Sequence, residues 1–269
     1  MPTPEIELDE IRLTLHERVV GYWMPEGRAG NHGSAGNTLE DLLGVPENNL
    51  RVPDYGQFEL KTRDEATSSL LTLFHREPLP RGSVPKLLRV YGWPHGESGA
   101  RYADDERSFR STTRASSPSD RGFQLGLAGE RIEFQYLPAH VAREKVDRSS
   151  AYATYGEWAD DVESRIGELG DPLPVYWDKS TLIDQLVAKL DHTILATYRT
   201  RPTGGRGREI MFTRVELFSG FRADKVNALF EEHALFVDFD ARTRHNHGTK
   251  VRIDIASLPL LFQDYIVLA

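Results

Sequence analysis

Cysteine is absent from all 269 residues, which excludes disulfides, thiolate nucleophiles and zinc–thiolate centres. Long apolar runs are absent too: none approaches the ~20 residues that a helix needs to cross a bilayer. The opening Met1-Pro2-Thr3-Pro4-Glu5 has neither the basic nor the apolar region of a secretory signal. These absences lead to the expectation of a cytoplasmic protein. Positive charge is also in deficit, with a formal net charge of −8, which taken alone disfavours a polyanionic partner. The deficit is uneven, however. From Arg199 to Arg252 there are eleven Lys or Arg against seven Asp or Glu, whereas the other residues carry 22 against 34. A basic segment on an acidic body is compatible with a surface that binds phosphate beside a pocket that binds metal.

What is present reads as a mixed α/β chain, long enough for one large domain or two lobes and without internal repeats. Ile6 to Val20 predicts a first helix, and Gly27 to Gly36 a loop. Asn37 or Thr38 then caps a short helix, Leu39 to Leu43, closed by Gly44 and Pro46. Ser69 to His75 and Lys86 to Trp93 read as strands, and Gly122 to Leu137 as a hairpin turning at Gly126 to Gly129. Glu157 to Leu169 and Thr181 to Tyr198 read as helices, the second because Leu182, Leu186, Leu190 and Ile194 recur at helical spacing. A Gly/Arg loop, Thr200 to Arg208, leads to a strand (Glu209 to Phe218), a helix (Ala223 to Glu232) and strands at Ala234 to Phe239 and Lys250 to Ala256. The polar stretch from Gly96 to Arg121 carries only weak strand signals and is expected to be an insertion or loop.

The most informative segment is Val52-Pro53-Asp54-Tyr55-Gly56-Gln57-Phe58-Glu59-Leu60-Lys61-Thr62. Phe58, Leu60 and Thr62 alternate with Glu59 and Lys61, so the acid and the amine share one face of a strand while the apolar residues enter the core. Pro53 and Gly56 mark a bend from which Asp54 can swing back towards the strand. A hard cation such as Mg²⁺ takes one or two carboxylates plus phosphate oxygens and waters. An ammonium beside it orients the attacking water and offsets charge on a phosphoryl group. An E-x-K pair on a solvated strand face is the bland alternative. Glu40 adds an upstream carboxylate that suits either a third ligand or the dipole of its helix N-terminus.

A second constellation runs from Asp238 through Asp240, Arg242, Arg244, His245 and His247 to Arg252. Arginine bonds guanine O6 and N7 bidentately, and aspartate accepts from cytosine N4, so these side chains suit base reading. The metal alternative is His245-x-His247 with Asp238 or Asp240, although no third histidine has fitting spacing. A plain polar hairpin turn is the alternative.

With both constellations in place, the chain resembles the MvaI/BcnI family of type II restriction endonucleases, relatives of the repair nickase MutH in the PD-(D/E)xK superfamily. The matching blocks are Gly36 to Gly44 leading into Pro53-Asp54 and Phe58 to Thr62, Leu71 to Phe74, the helix near Trp177 and Leu182, and Val237 to Arg252. The resemblance implies a PD-(D/E)xK α/β core with a second, DNA-recognition lobe. The expected division is 1–198, mainly catalytic, and 199–269, mainly recognition, with the lobes free to interleave. It further implies a monomer that cuts double-stranded DNA at a short CC-N-GG-like site, one strand per binding event, beside a cognate methyltransferase in the same cell. Asp54 and Glu59 would be Mg²⁺ ligands and Lys61 the water-positioning amine. Asp240, Arg242, His247 and Arg252 would read bases, and Arg244 and His245 would touch base or phosphate. Competing readings are a MutH-like nickase under partner control and a non-enzymatic DNA-binding module on the same fold.

Overall fold

A computed structural model describes residues 4–27, 34–45, 53–127, 129–205 and 207–269. The loop expected between Gly27 and Gly36 falls mostly outside the described residues, as does Pro46. In chain order the elements are α1 (Pro4–Thr14), continued by a π-helical turn at Leu15–Val19, then β1 (Met24–Pro25), α2 (Ser34–Leu43), β2 (Glu59–Asp64) and β3 (Leu71–His75). There follow α3 (Ser83–Tyr91), β4 (Trp93–Pro94), β5 (Arg107–Thr113), β6 (Phe123–Gly126), β7 (Arg131–Tyr136), α4 (Tyr155–Leu169) and β8 (Val175–Asp178). The last run is α5 (Lys179–Leu190), β9 (His192–Pro202), β10 (Arg208–Phe221), α6 (Val226–Glu231), β11 (Leu235–Arg242), β12 (His245–Ile253) and β13 (Phe262–Val267). Among the described residues no helix is long and apolar enough to cross a membrane.

The chain forms two compact units, each discontinuous in sequence. The first comprises Met1–Leu71, Asp184–Ala223 and Ile255–Ala269; the second comprises Thr72–Ile183 and Asp224–Asp254. A single division after residue 198 does not describe them, because β9 runs through that point and the second unit is inserted between β2 and β9. Parallel strands need a crossover connection, and here most of the second unit lies within that crossover.

In the first unit the sheet order is β1-β10-β9-β2, with β13 also paired to β10. β2 runs parallel to β9, with Glu59 opposite Thr193 and Lys61 opposite Leu195. One face of the sheet buries Phe58, Leu60, Ile194, Ala196 and Phe212 in a core that includes Ile11, Leu15 and Val19 from the first helical segment and Leu39 from α2. The helix expected over Ile6 to Val20 is therefore present, with its final turn wound as π. α2 begins at Ser34, earlier than expected, so Asn37 and Thr38 are interior. Thr38 Oγ1 donates to the Ser34 carbonyl (2.8 Å) and accepts from the Gly27 N–H (2.9 Å).

In the second unit a five-stranded sheet, β3-β12-β11-β5-β4, accompanies a three-stranded one, β6-β7-β8. Their apolar faces share an aromatic core in which Phe109, Phe123, Phe134 and Phe239 meet at ring separations of 5.1 to 6.0 Å. The hairpin expected over Gly122 to Leu137 is β6–β7, its connection including residue 128, outside the described residues. Other expectations are corrected here. Lys86 to Trp93 is mostly helix: Val84, Leu87, Leu88 and Tyr91 fall at i, i+3, i+4 and i+7 and are all buried, a helical stripe. Thr181 to Tyr198 is not one helix, since α5 ends at Leu190 and His192 opens β9, which is hydrogen-bonded on both edges. Asp191 fixes that corner, its carbonyl accepting from Gly220 N–H (3.1 Å) and its Oδ1 from Phe221 N–H (3.0 Å). The Gly96 to Arg121 stretch contains β5, an interior strand.

Arg121 organises one side of this second unit. Its guanidinium lies 3.9 Å from the Trp93 ring centre, 4.7 Å from Trp158 and 4.9 Å from Tyr155, and donates to Asp147 Oδ2 (2.6 Å) and Ser149 Oγ (3.0 Å). Burial pushes the Asp147 carboxyl up, but the Ser149 and Ser150 hydroxyls and the Arg121 charge outweigh it and hold its pKa below the ordinary 3.8. Removing one partner strands a buried charge. Asp147→Ala is therefore expected to cost about 3–5 kcal/mol in denaturant unfolding at pH 7. Because the folded pKa is the lower one, this stabilisation is fully present above the unfolded value and is lost as pH falls through the folded value. An unfolding midpoint unchanged by the mutation at pH 7 would show that the pair contributes nothing.

Candidate active site

The bend before β2 is closed by reciprocal backbone hydrogen bonds, Tyr55 N–H to the Phe58 carbonyl (2.9 Å) and Phe58 N–H to the Tyr55 carbonyl (2.7 Å). Gly56 makes it possible. Its φ is +55°, and an added Cβ would stand 2.6 Å from Glu7 Oε2. The reversal returns Asp54 to the strand, where its Oδ2 accepts from the Leu60 N–H at 3.0 Å. Asp54 is thereby fixed beside the first residues of β2.

Glu59 is 1 % exposed, an environment that opposes a carboxylate. Two amines compensate. Lys61 Nζ donates to Glu59 Oε1, and Lys189 Nζ, on the last turn of α5, lies 3.1 Å from Oε2. The second contact is within ion-pair reach but lacks hydrogen-bond alignment, so Oε2 is buried without a hydrogen-bond donor. Burial raises the Glu59 pKa above 4.5; the Lys61 charge opposes this, the Asp54 charge adds to it, and Lys189 opposes it. Asp54, Glu59 and Lys61 thus form one electrostatic cluster, as their spacing predicts. Lys189 is a member that spacing could not reveal.

Glu40 lies in the second half of α2, so the helix N-terminal dipole does not account for it. Among the described residues no three His, Asp or Glu side chains are grouped to hold a metal.

The second constellation lies on β11, β12 and the hairpin between them. Strand alternation sends Val237, Phe239 and Ala241 into the core and Asp238, Asp240 and Arg242 to the opposite face. There Asp240 stands between Lys250 Nζ (3.2 Å) and Arg110 Nε (3.1 Å), and Arg252 contacts Asp238 (3.1 Å). Burial raises the Asp240 pKa, yet Lys250 and Arg110 outweigh it and the net shift is downward. Arg242 and Arg244 converge on Glu106, itself 1 % exposed, at 3.3 and 2.9 Å, and Arg242 also stacks over Tyr102. His245 and His247 pack edge to face at the exposed start of β12. Burial lowers the His247 pKa below 6.5 despite the nearby Asp240. Glu106, Arg110 and Lys250 join this face from the approach to β5, β5 itself and β12, and no spacing in the sequence marks Glu106 or Arg110.

A model of the MvaI/BcnI restriction endonuclease family matches residues 15–262. The chain belongs to that family. It is accordingly a DNA endonuclease of the restriction type. Two solved structures share its fold over the full length of both chains: "Restriction endonuclease MvaI-cognate DNA substrate complex", at 20 % identity and a TM-score of 0.72, and "Restriction endonuclease MvaI in the absence of DNA", at 21 % and 0.50. No curated protein matches its sequence.

Restriction endonucleases of this kind generally use a divalent metal, and the oxygen atoms of this cluster fit the chemistry of a hard one. Asp54 and Glu59 offer only oxygen, Glu59 Oε2 has no hydrogen-bond donor, and no thiolate exists to select a softer ion. Lys189→Met should raise the Glu59 pKa further, measured by ¹³C NMR titration of the metal-free protein. An unmoved titration would show that Lys189 does not reach the carboxylate.

Proposed function

We propose that the protein hydrolyses double-stranded DNA at a short CC-N-GG-like sequence, with Mg²⁺ held by Asp54 and Glu59 and with Lys61 positioning the attacking water. The observation that carries this reading is the buried Glu59 carboxylate, compensated by Lys61 and Lys189 beside a hydrogen-bonded Asp54, in a chain of the restriction endonuclease family. When bound, the ion would polarise a phosphoryl oxygen and lower the pKa of a coordinated water. The chain's own residues do the rest. The Leu60 N–H fixes the direction of Asp54 beside the strand that carries Glu59, whose carboxyl feels its charge. Lys61 holds one oxygen of Glu59, and its ammonium sits where it can align a water and offset charge on the pentacoordinate phosphorus.

The recognition residues of this reading are Asp240, Arg242, Arg244, His245, His247 and Arg252, in a unit distinct from the one that carries the catalytic residues. One chain has one Asp54–Glu59–Lys61 set. Acting as a monomer, it would cut one strand per encounter and rebind in the opposite orientation for the other. A cytoplasmic location and a methyltransferase that protects host DNA belong to the same reading.

Incubation with phage DNA and Mg²⁺ should give discrete fragments, none in EDTA and none from Lys61→Ala. Asp54→Ala and Glu59→Ala should abolish cleavage while duplex binding persists. Intact DNA across many sequences would reject the proposal, and stable single-strand nicks alone would move the protein to the repair-nickase class.

A further inference from the structure

Arg110 lies in the stretch whose sequence carried no motif, on the solvent side of the five-stranded sheet. Its cross-strand partner is Asp240, and Ser108 and Thr112 occupy the same face, opposite Arg242 and Asp238. We infer that Arg110 is a base-reading residue, oriented by Asp240, and that the segment Gly96 to Arg121 therefore takes part in choosing the DNA target. The inference rests on the reading of the chain as a DNA endonuclease.

Three observations support it. First, the arginines on this face differ in freedom. Arg242 is 15 % exposed, under Tyr102 and tied to Glu106, and Arg252 is 24 % exposed against Asp238. Arg110 is 51 % exposed, and only its Nε faces a carboxylate, Asp240 Oδ1 at 3.1 Å. Its two terminal amino groups have no partner among the described residues, which leaves the guanidinium edge that bonds guanine O6 and N7 available. Secondly, the orienting carboxylate is itself held. Asp240 accepts from Lys250 on the neighbouring strand through Oδ2, while its Oδ1 has no hydrogen-bond donor and faces Arg110 as an ion pair, so the carboxylate beside Arg110 is held by a second strand of the sheet.

Thirdly, the charge pattern suits bases better than phosphates. Arg110, Lys250 and Arg252 each lie beside Asp240 or Asp238, and Thr112 Oγ1 donates to Asp238 Oδ1 at 2.9 Å. A phosphate backbone would meet carboxylates at each step. Base edges in the major groove present donors as well as acceptors, and so complement a face that alternates between the two. Arg110 and Thr112 also border an open hollow of about 450 Å³ lined by His95, Ser111 and Arg121, which gives an approaching edge room.

The test uses duplexes that carry a site mapped by wild-type cleavage, together with versions in which each G·C pair of that site is replaced singly. Binding is followed by fluorescence anisotropy without Mg²⁺, over a range of salt concentrations. Arg110→Ala should lose discrimination at one G·C pair, by roughly 5- to 150-fold, and keep it at the others. Arg110→Lys should fail to restore it, because a point charge cannot replace the bidentate fork. Weakening that is equal on every duplex, with a salt slope reduced by about one, would make Arg110 a phosphate contact and overturn the inference. Unchanged discrimination, or rescue by lysine, would overturn it as well. A wild-type protein that neither binds nor cuts any duplex would instead defeat the underlying reading.

Discussion

The structure of the candidate site depends on one buried carboxylate. Glu59 is almost wholly withdrawn from water, and burial alone would drive it to the neutral acid. Lys61 shares its strand face and meets one oxygen; Lys189 arrives from α5 and faces the other. Asp54, returned by the Gly56 bend and hydrogen-bonded to Leu60, supplies a second negative charge that would be hard to place without those amines. The result is a compensated cluster of two acids and two bases at the start of β2. Such clusters, with pKa values displaced by burial and specific partners, are where chemistry is concentrated in folded proteins.

The topology explains how so local a motif is completed from afar. β2 and β9 are parallel neighbours, and the helix that precedes β9 delivers Lys189 to the strand carrying Glu59. A parallel pair requires a crossover, and in this chain that crossover has grown to include most of the second unit. The second unit builds a different kind of surface. Its central sheet buries aromatic residues on one face and displays paired cations and carboxylates on the other. Catalytic and recognition candidates thus belong to separately packed units whose segments alternate along the chain.

Sequence was informative where the determinants are local. The D-x4-E-x-K spacing and strand alternation placed Glu59 and Lys61 on one face, and the Gly56 bend foretold the return of Asp54. Position in the chain was a poor guide where tertiary pairing decides. Ile194 continues the leucine spacing of α5, yet hydrogen-bonding to β2 and β10 draws it into β9. Lys86 to Tyr91 combine strand-forming residues with a helical stripe, and burial of that stripe prevailed. Lys189 and Arg110 were invisible for a common reason. Each matters through a partner far along the chain, Glu59 in one case and Asp240 in the other, and no spacing rule links them. Of the three arginines in the second constellation, Arg242 and Arg244 meet Glu106, a residue of no evident significance in the linear chain, and Arg252 meets Asp238.

The most direct test of the central claim is metal binding itself, measured by electron paramagnetic resonance as Mn²⁺ is titrated into the protein. The wild-type chain should remove free Mn²⁺ from solution. Glu59→Gln and Asp54→Asn, which keep shape but discard one negative charge each, should bind it far more weakly while remaining folded. Equal affinity in all three proteins would mean that the buried carboxylate and its neighbour do not hold the ion, and the account of the active site would fail.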